Sequence, residues 1–192
     1  MHTLIFATNN RNKVAEIQSL VGPNFEIIPL KEAGIEIDIP EPHDQLEANA
    51  LEKAMTIFKM TNQACFSEDT GLEIAALDGA PGVKSARYAG ENSNAQANID
   101  LVLSKMTGIE NRAAQFRTVI CLIWKNQTYY FEGICKGQIL TTMQGENGFG
   151  YDPIFVPDGA SKSFANMTMD EKNQFSHRKK AVTQLFEFLG TL

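Results

Sequence analysis

Cysteine, histidine and tryptophan are scarce in this chain of 192 residues, at three, three and one. The first two scarcities each close off a kind of chemistry. Cys65, Cys121 and Cys135 stand apart among apolar neighbours without C-x-x-C spacing. They predict buried thiols in a reducing compartment, not a zinc site or a disulfide framework. His2, His43 and His177 supply no serine with both a base and a separate orienting acid, so a nucleophilic triad lacks support. No apolar run approaches the ~18 residues of a membrane helix. The start, Met1-His2-Thr3-Leu4-Ile5-Phe6-Ala7, lacks the basic region and long apolar core of a leader and reads as a first strand. Basic residues are also in deficit, 17 against 23 acids, for a net charge of −6. A general nucleic-acid binder needs a basic surface to displace counterions, so that class is disfavoured.

What is present is globular. Hydrophobic residues make up 43% and charged residues 21%, enough for a sizeable core in one domain. The element order reads as mixed α/β. Thr3 to Ala7 predicts a strand, and Val14, Ile17 and Val21 recur at helical spacing. Phe25 to Leu30 predicts a second strand. Asp44-x-x-Glu47 resembles a capping box opening a helix with Leu46, Ala50, Ala54 and Ile57 inward. Ala64 to Ser67 predicts a short buried strand that ends at Glu68-Asp69-Thr70-Gly71. Ser93-x-x-Gln96 predicts another cap, with Ile99, Leu103 and Met106 inward. Ala113 to Trp124 and Thr128 to Gly137 read as a hairpin turning at Lys125-Asn126-Gln127. Thr168-x-x-Glu171 caps a short helix, and a last helix runs from about Ser176 to Leu189.

Several segments could carry chemistry, and each has a plainer reading beside it. Thr8-Asn9-Asn10-Arg11-Asn12-Lys13 follows a strand and opens a helix, where N–H groups and the dipole suit phosphate. It is not a P-loop, and on this segment alone an ordinary capped helix is the favoured reading. Between Glu26 and Glu52 stand eight carboxylates and one Lys. They read either as a solvated acidic face or as the source of ligands for a divalent cation. Glu41, stiffened by Pro40 and Pro42, is aimed into a cleft or lies in a plain acidic loop. Glu68 and Asp69 suit a hard cation and water activation if both reach one ion from a strand end; otherwise they form a polar turn. Gly148-Phe149-Gly150-Tyr151-Asp152-Pro153 offers close backbone approach and an aromatic face for a base, or else a tight turn with its aromatics in the core. Ser176-His177-Arg178-Lys179-Lys180 places basic groups at a helix start, against the dipole, and such a conflict points to function.

Taken in order, six segments resemble one family. They are T-N-N-R-N-K at 8–13, D-I-P-E at 38–41, S-E-D-T-G-L at 67–72, G-A-P-G-V-K-S-A-R-Y-A-G at 79–90, G-F-G-Y-D-P-I-F at 148–155 and E-K-N-Q-F-S-H-R at 171–178. The chain is similar to the inosine/xanthosine triphosphate pyrophosphatases, which remove deaminated purine nucleotides, over essentially its whole length. The resemblance implies an elongated mixed β-sheet flanked by helices, two lobes with a central substrate cleft, and one catalytic domain over 1–192. It implies hydrolysis of ITP, dITP or XTP to the monophosphate and pyrophosphate, in the cytoplasm, by a homodimer using Mg²⁺, with Mn²⁺ as the other candidate metal. Glu41, Glu68 and Asp69 would be the metal carboxylates, and Asp69 also the base that activates water. Thr8, Asn9, Asn10, Arg11, Asn12 and Lys13 would cradle the triphosphate, with Lys53 a further phosphate contact and Thr70 a substrate contact. Phe149, Gly150, Tyr151, Asp152, Lys172, His177 and Arg178 would surround the rest of the nucleotide.

The chain departs from the family at two points. Asn9 stands where Gly is common, and Asn tolerates a left-handed backbone. Ala48 stands where Glu often precedes Asn-Ala, with Glu47 one position early. One residue turns a helical side chain by about 100°, so Glu47 receives no site role. Base choice would follow from hydrogen-bond matching. A 6-oxo purine accepts from Arg178, whereas the amino group of adenine sets donor against donor. Two alternatives stay open: a related-fold pyrophosphatase for modified pyrimidine or thymidine nucleotides, and a nucleotide-binding sensor without catalysis.

Overall fold

The computed structural model describes residues 2–191; Met1, the start of the expected first strand, and Leu192 lie outside the described residues. One mixed sheet organises the chain, in the order β2-β1-β3-β5-β6-β7 with β4 attached to β3. The strands are β1 (His2–Phe6), β2 (Phe25–Pro29), β3 (Cys65–Ile74), β4 (Pro81–Gly82), β5 (Ala113–Trp124), β6 (Gln127–Ile139) and β7 (Phe155–Pro157). β1 runs parallel to β2 and β3, whereas β3–β4 and β6–β7 are antiparallel. The helices are α1 (Arg11–Gln18), α2 (Leu46–Thr61), α3 (Ala95–Lys105), α4 (Met169–Asn173) and α5 (His177–Gly190). Among the described residues, no helix is long and apolar enough to cross a membrane.

Two compact units emerge. The first comprises Met1–Asp69, Thr118–Gly133 and Arg178–Leu192. Its strands are apolar on both faces, and period-2 alternation divides them between two cores. Leu4, Phe6, Phe66, Ile120 and Leu122 join Ile17 of α1 and Val182, Leu185 and Leu189 of α5. Ile5, Ala7, Cys65, Cys121 and Ile123 join Ala50, Ala54 and Ile57 of α2. Burial pushes the thiols of Cys65 and Cys121 up to about 12. The second unit comprises Thr70–Arg117 and Ile134–His177. Its core gathers Leu72, Ile74, Ile99, Val102, Phe116, Ile154, Phe155 and Phe164.

Some expected boundaries are corrected. The helix expected from Asp44 begins at Leu46, with Gln45 as an N-cap that makes no side-chain bond. That puts Ala48, not Glu47, at the third helical position, so no capping box can close. The entry is held from inside instead. Asn49 accepts from the His43 N–H at 2.9 Å and donates to its carbonyl at 3.0 Å. At α3 the cap is Asn94, which accepts from the Ala97 N–H, while Ser93 takes a positive φ of 48°. Gln96 bonds Asp100 one turn on. The Thr168–Glu171 box forms with both of its bonds. The hairpin turn shortens to Lys125 and Asn126, both at positive φ, as two-residue primed turns require. β3 runs on to Ile74 and does not stop before Glu68.

Candidate active site

The extra length of β3 decides the geometry. In mid-strand, consecutive side chains leave opposite faces. Phe66 faces the core built with α1 and α5, and Cys65 the one built with α2. Continuing that alternation sends Glu68 to the first face and Ser67 and Asp69 to the second. The contacts agree. The Ser67 hydroxyl donates to the Ala50 carbonyl and Asn49 donates to Asp69 Oδ2 at 3.3 Å, both from α2. Glu68 meets Arg178 at the start of α5 and Lys13 of α1. The strand end expected from the sequence is therefore replaced by a strand interior, and the two carboxylates are separated by the sheet.

On the α1–α5 face, Glu68 is fully buried in an ion cluster. Arg178 donates to it through Nε at 2.8 Å and Nη2 at 3.0 Å, and Lys13 Nζ stands 3.1 Å from Oε1. The third arm of Arg178, Nη1, donates to Glu16, a buried acid of α1. Burial alone would raise the Glu68 carboxyl, but Arg178 and then Lys13 outweigh it and hold it well below the ordinary range. Burial likewise opposes the charge on Arg178, and Glu68 and Glu16 overcome it. Arg178 is thus a buried counter-ion, 2% exposed, held by two carboxylates.

On the α2 face, the organising atom is Lys53 Nζ. It donates to a Glu41 carboxylate oxygen, to the Glu68 carbonyl at 2.8 Å, and toward Asp69 Oδ1 at 3.4 Å. All three residues expected as metal ligands therefore converge on one ammonium, but Glu68 does so through its backbone. Burial would depress the Lys53 pKa; Asp69 and then Glu41 reverse this and leave it raised. Asp69 is itself raised, first by burial and with Glu41 adding to it, although Lys53, Lys13 and Asn49 pull the other way. Among the described residues, no three of histidine, cysteine, aspartate and glutamate form a group that could hold a metal by side chains alone.

The expected phosphate segment joins the α1–α5 cluster through Lys13, which pairs with Glu68. Asn10 caps α1, its Oδ1 accepting from the N–H groups of Asn12 at 3.0 Å and Lys13 at 3.2 Å. The Thr8 hydroxyl accepts from the Asn10 N–H. Two helix-start amides are thereby engaged inside the protein. Asn9 does not need the left-handed region: its side chain donates to the Ile37 carbonyl at 2.8 Å. Arg11 and Asn12 are exposed. Most of the acidic run is a solvated face, with Glu32, Glu36, Asp38, Asp44 and Glu52 exposed; Glu41 is the acid of that run that joins the Lys53 cluster.

In the second unit, Thr70 continues β3 and is half-buried. The Gly148–Asp152 segment folds on Asp152, whose Oδ2 accepts from the Phe149 N–H at 2.9 Å and Lys172 Nζ at 2.6 Å. Gly148 is required there: its φ is +76°, and a Cβ would lie 2.1 Å from that oxygen. Lys172 Nζ sits 5.2 Å from the ring centres of both Phe149 and Phe164. Gly150 turns the chain at φ 61°. Tyr151 goes to the core, with its hydroxyl donating to the Ser85 carbonyl at 2.7 Å. The His177 ring is buried and stacks on Phe116 at 4.7 Å. Sequence reading missed Glu16 and Asn49. Glu16 looked like any surface helix acid, and only its partner, 162 positions away, distinguishes it. Asn49 lay in the helix's buried stripe, where a polar residue among Ala50, Ala54 and Ile57 was an available signal.

Known proteins share this architecture. The Ham1 family model matches residues 4–188. A dITP/XTP pyrophosphatase of Porphyromonas gingivalis is 50% identical over 190 residues, 98% of each chain. One of Flavobacterium johnsoniae is 47% identical over 186 residues, 97% of each. A solved Ham1 protein of Coxiella burnetii superposes with a TM-score of 0.91 at 35% identity, covering 100% of both chains. That of Staphylococcus aureus gives 0.89 at 37%, covering 98% of both.

Proposed function

The chain belongs to the Ham1 family, and from that premise we propose that it hydrolyses non-standard purine nucleoside triphosphates, dITP, XTP and ITP, to the monophosphate and pyrophosphate. The observation that carries the reading is the convergence of Glu41, Glu68 and Asp69 on a single positive charge, Lys53. We take 1–192 as one catalytic domain that acts in the cytoplasm as a homodimer.

A divalent cation, Mg²⁺ or Mn²⁺, fits the α2 face because every acceptor around Lys53 Nζ is an oxygen, the preference of hard cations. Glu41 and Asp69 would hold it by carboxylates and Glu68 by the oxygen it presents there. When bound, it would neutralise phosphate charge and acidify water. Asp69 would be the base that accepts a proton from water, with Asn49 fixing its orientation. The water oxygen bonds to the α-phosphorus, the bond to the bridging oxygen breaks, and pyrophosphate departs. Arg11, Lys13 and Lys53 supply positive charge to the phosphates, with Thr8, Asn9, Asn10 and Asn12 shaping the segment. Phe149 offers a ring face to the purine, within the segment that Gly150, Tyr151, Asp152 and Lys172 hold in shape. Thr70 and His177 complete the substrate contacts. Arg178 is the donor to the 6-oxo group; Glu68 and Glu16 fix its plane before a base arrives.

The test is a nucleotide panel with purified protein and Mg²⁺, separating pyrophosphate from orthophosphate. dITP, ITP and XTP should release pyrophosphate at kcat/KM far above ATP and dTTP. Orthophosphate as first product, or equal use of ATP, would sink the reading. Asp69→Asn should lower kcat by roughly 10²–10⁴ while nucleotide still binds, which separates the enzyme from a non-catalytic sensor.

A further inference from the structure

Buried carboxylates without a counter-charge are costly, and Asp69 is only 5% exposed. Ionised carboxylates on the α2 face therefore need a positive partner. In this structure the charge is Lys53, whose ammonium lies among oxygens from Glu41, Glu68 and Asp69. Lys53 differs in kind from Arg178 on the other face. A guanidinium is planar and locked by paired bonds, whereas an ammonium is a compact charge on a flexible four-carbon stem. An ammonium and a divalent cation cannot share the same oxygens, since like charges at such range repel.

We propose that Lys53 is an internal stand-in for the divalent cation. Its ammonium holds Glu41 and Asp69 while no metal is loaded, and it withdraws from them when a metal is loaded and nucleotide phosphate offers it another anion. The inference rests on the metal-dependent reading of this site. It adds that metal and nucleotide reinforce each other's binding, because Lys53 must leave one set of oxygens for the other. Linkage makes that coupling reciprocal. Without nucleotide the protein holds metal weakly, with Lys53 as the competitor. Lys13 plays no such part: Glu68 keeps Arg178 whether or not Lys13 leaves it.

The test is Mn²⁺ binding to the full chain without nucleotide, read as the loss of the free-ion paramagnetic resonance signal. Lys53→Met should bind Mn²⁺ more tightly than wild type, on the order of tenfold. Adding Asp69→Asn to that variant should abolish the gain. Lys53→Arg, whose fork grips two carboxylates, should bind more weakly than wild type, and it decides the question if Lys53→Met does not fold. Lys53→Met binding no tighter than wild type overturns the proposal, as does Lys53→Arg binding equally or better. Wild-type pyrophosphate release from dITP is measured alongside. If that activity is present while the Lys53 variants show no such shifts, the stand-in fails and the reaction stands.

Discussion

Glu16 shows what a single buried acid does for a site it never touches chemically. Arg178 carries one positive charge, and on its face Glu68 must also answer Lys13. Glu16 is the second carboxylate that holds the guanidinium plane. Removing one partner of a buried ion cluster leaves an uncompensated charge, which typically costs about 3–5 kcal/mol. Glu16→Ala should therefore lower Tm by roughly 6–20 °C for a chain of this size, at about 2–4 °C per kcal/mol. Glu16→Gln keeps the shape and an acceptor, and should lose less. Scanning calorimetry on the two variants checks this; a Glu16→Ala melting point within a degree of wild type would show that the cluster is not held from α1. The effect stays local to the residue because α1 has two other ties, its Asn10 cap and its packing through Ile17.

Elements differ in how far their sequence announces them. Thr168-x-x-Glu171 and Asp44-x-x-Glu47 share a pattern, yet only the first closes. Local pattern cannot distinguish them, because the entry to α2 is fixed by Asn49, which also donates to the distant Asp69. Ser93 lost to Asn94 by one residue, a displacement within ordinary boundary error. The strands were legible wherever apolar residues persist, and β3 was cut short because Glu68-Asp69-Thr70-Gly71 reads as a turn. The partners on the two faces, Arg178 and Lys13 for Glu68 and Lys53 and Asn49 for Asp69, let a strand carry two buried acids in succession. The candidate residues were thus legible by type and motif, whereas their division between faces depended on long-range pairing. The capping box at α4 gives a test at this scale. Lys162 first, and then the Thr168 N–H, hold the Glu171 carboxyl below its ordinary 4.5. A depressed folded pKa contributes stability that is present above the unfolded value and lost as pH falls below it. Between about pH 5 and pH 3.5, the urea midpoint of Glu171→Gln should fall less steeply than that of wild type. Thr168→Ala should cost about 0.5–2 kcal/mol at neutral pH through the lost cap. Parallel acid limbs for Glu171→Gln and wild type would remove the linkage.

At the scale of the whole molecule, a net charge of −6 must accommodate a polyanionic substrate. General attraction cannot supply that affinity, so the proposed function assigns it to a few local cations, Arg11, Lys13 and Lys53, and to a divalent cation. Binding to the folded state alone stabilises it by mass action, about 2.7 kcal/mol at a ligand concentration of 100 Kd. For 192 residues this converts to a melting shift of roughly 5–11 °C. A non-hydrolysable dITP analogue with Mg²⁺ should produce a shift of that size. The same analogue in a chelator should give much less, because its phosphates then meet the protein without the divalent cation. The matching dATP analogue with Mg²⁺ should fall well short at equal concentration. In the proposed reading its 6-amino group would set a donor against the Arg178 guanidinium, which Glu68 and Glu16 hold in place. Thermal melts of the three mixtures separate the contributions. Equal shifts for the two analogues would place base selection in the chemical step and not in binding. A full shift in chelator would mean that the cations of the protein suffice for the triphosphate, and that the carboxylates around Lys53 serve something other than a metal.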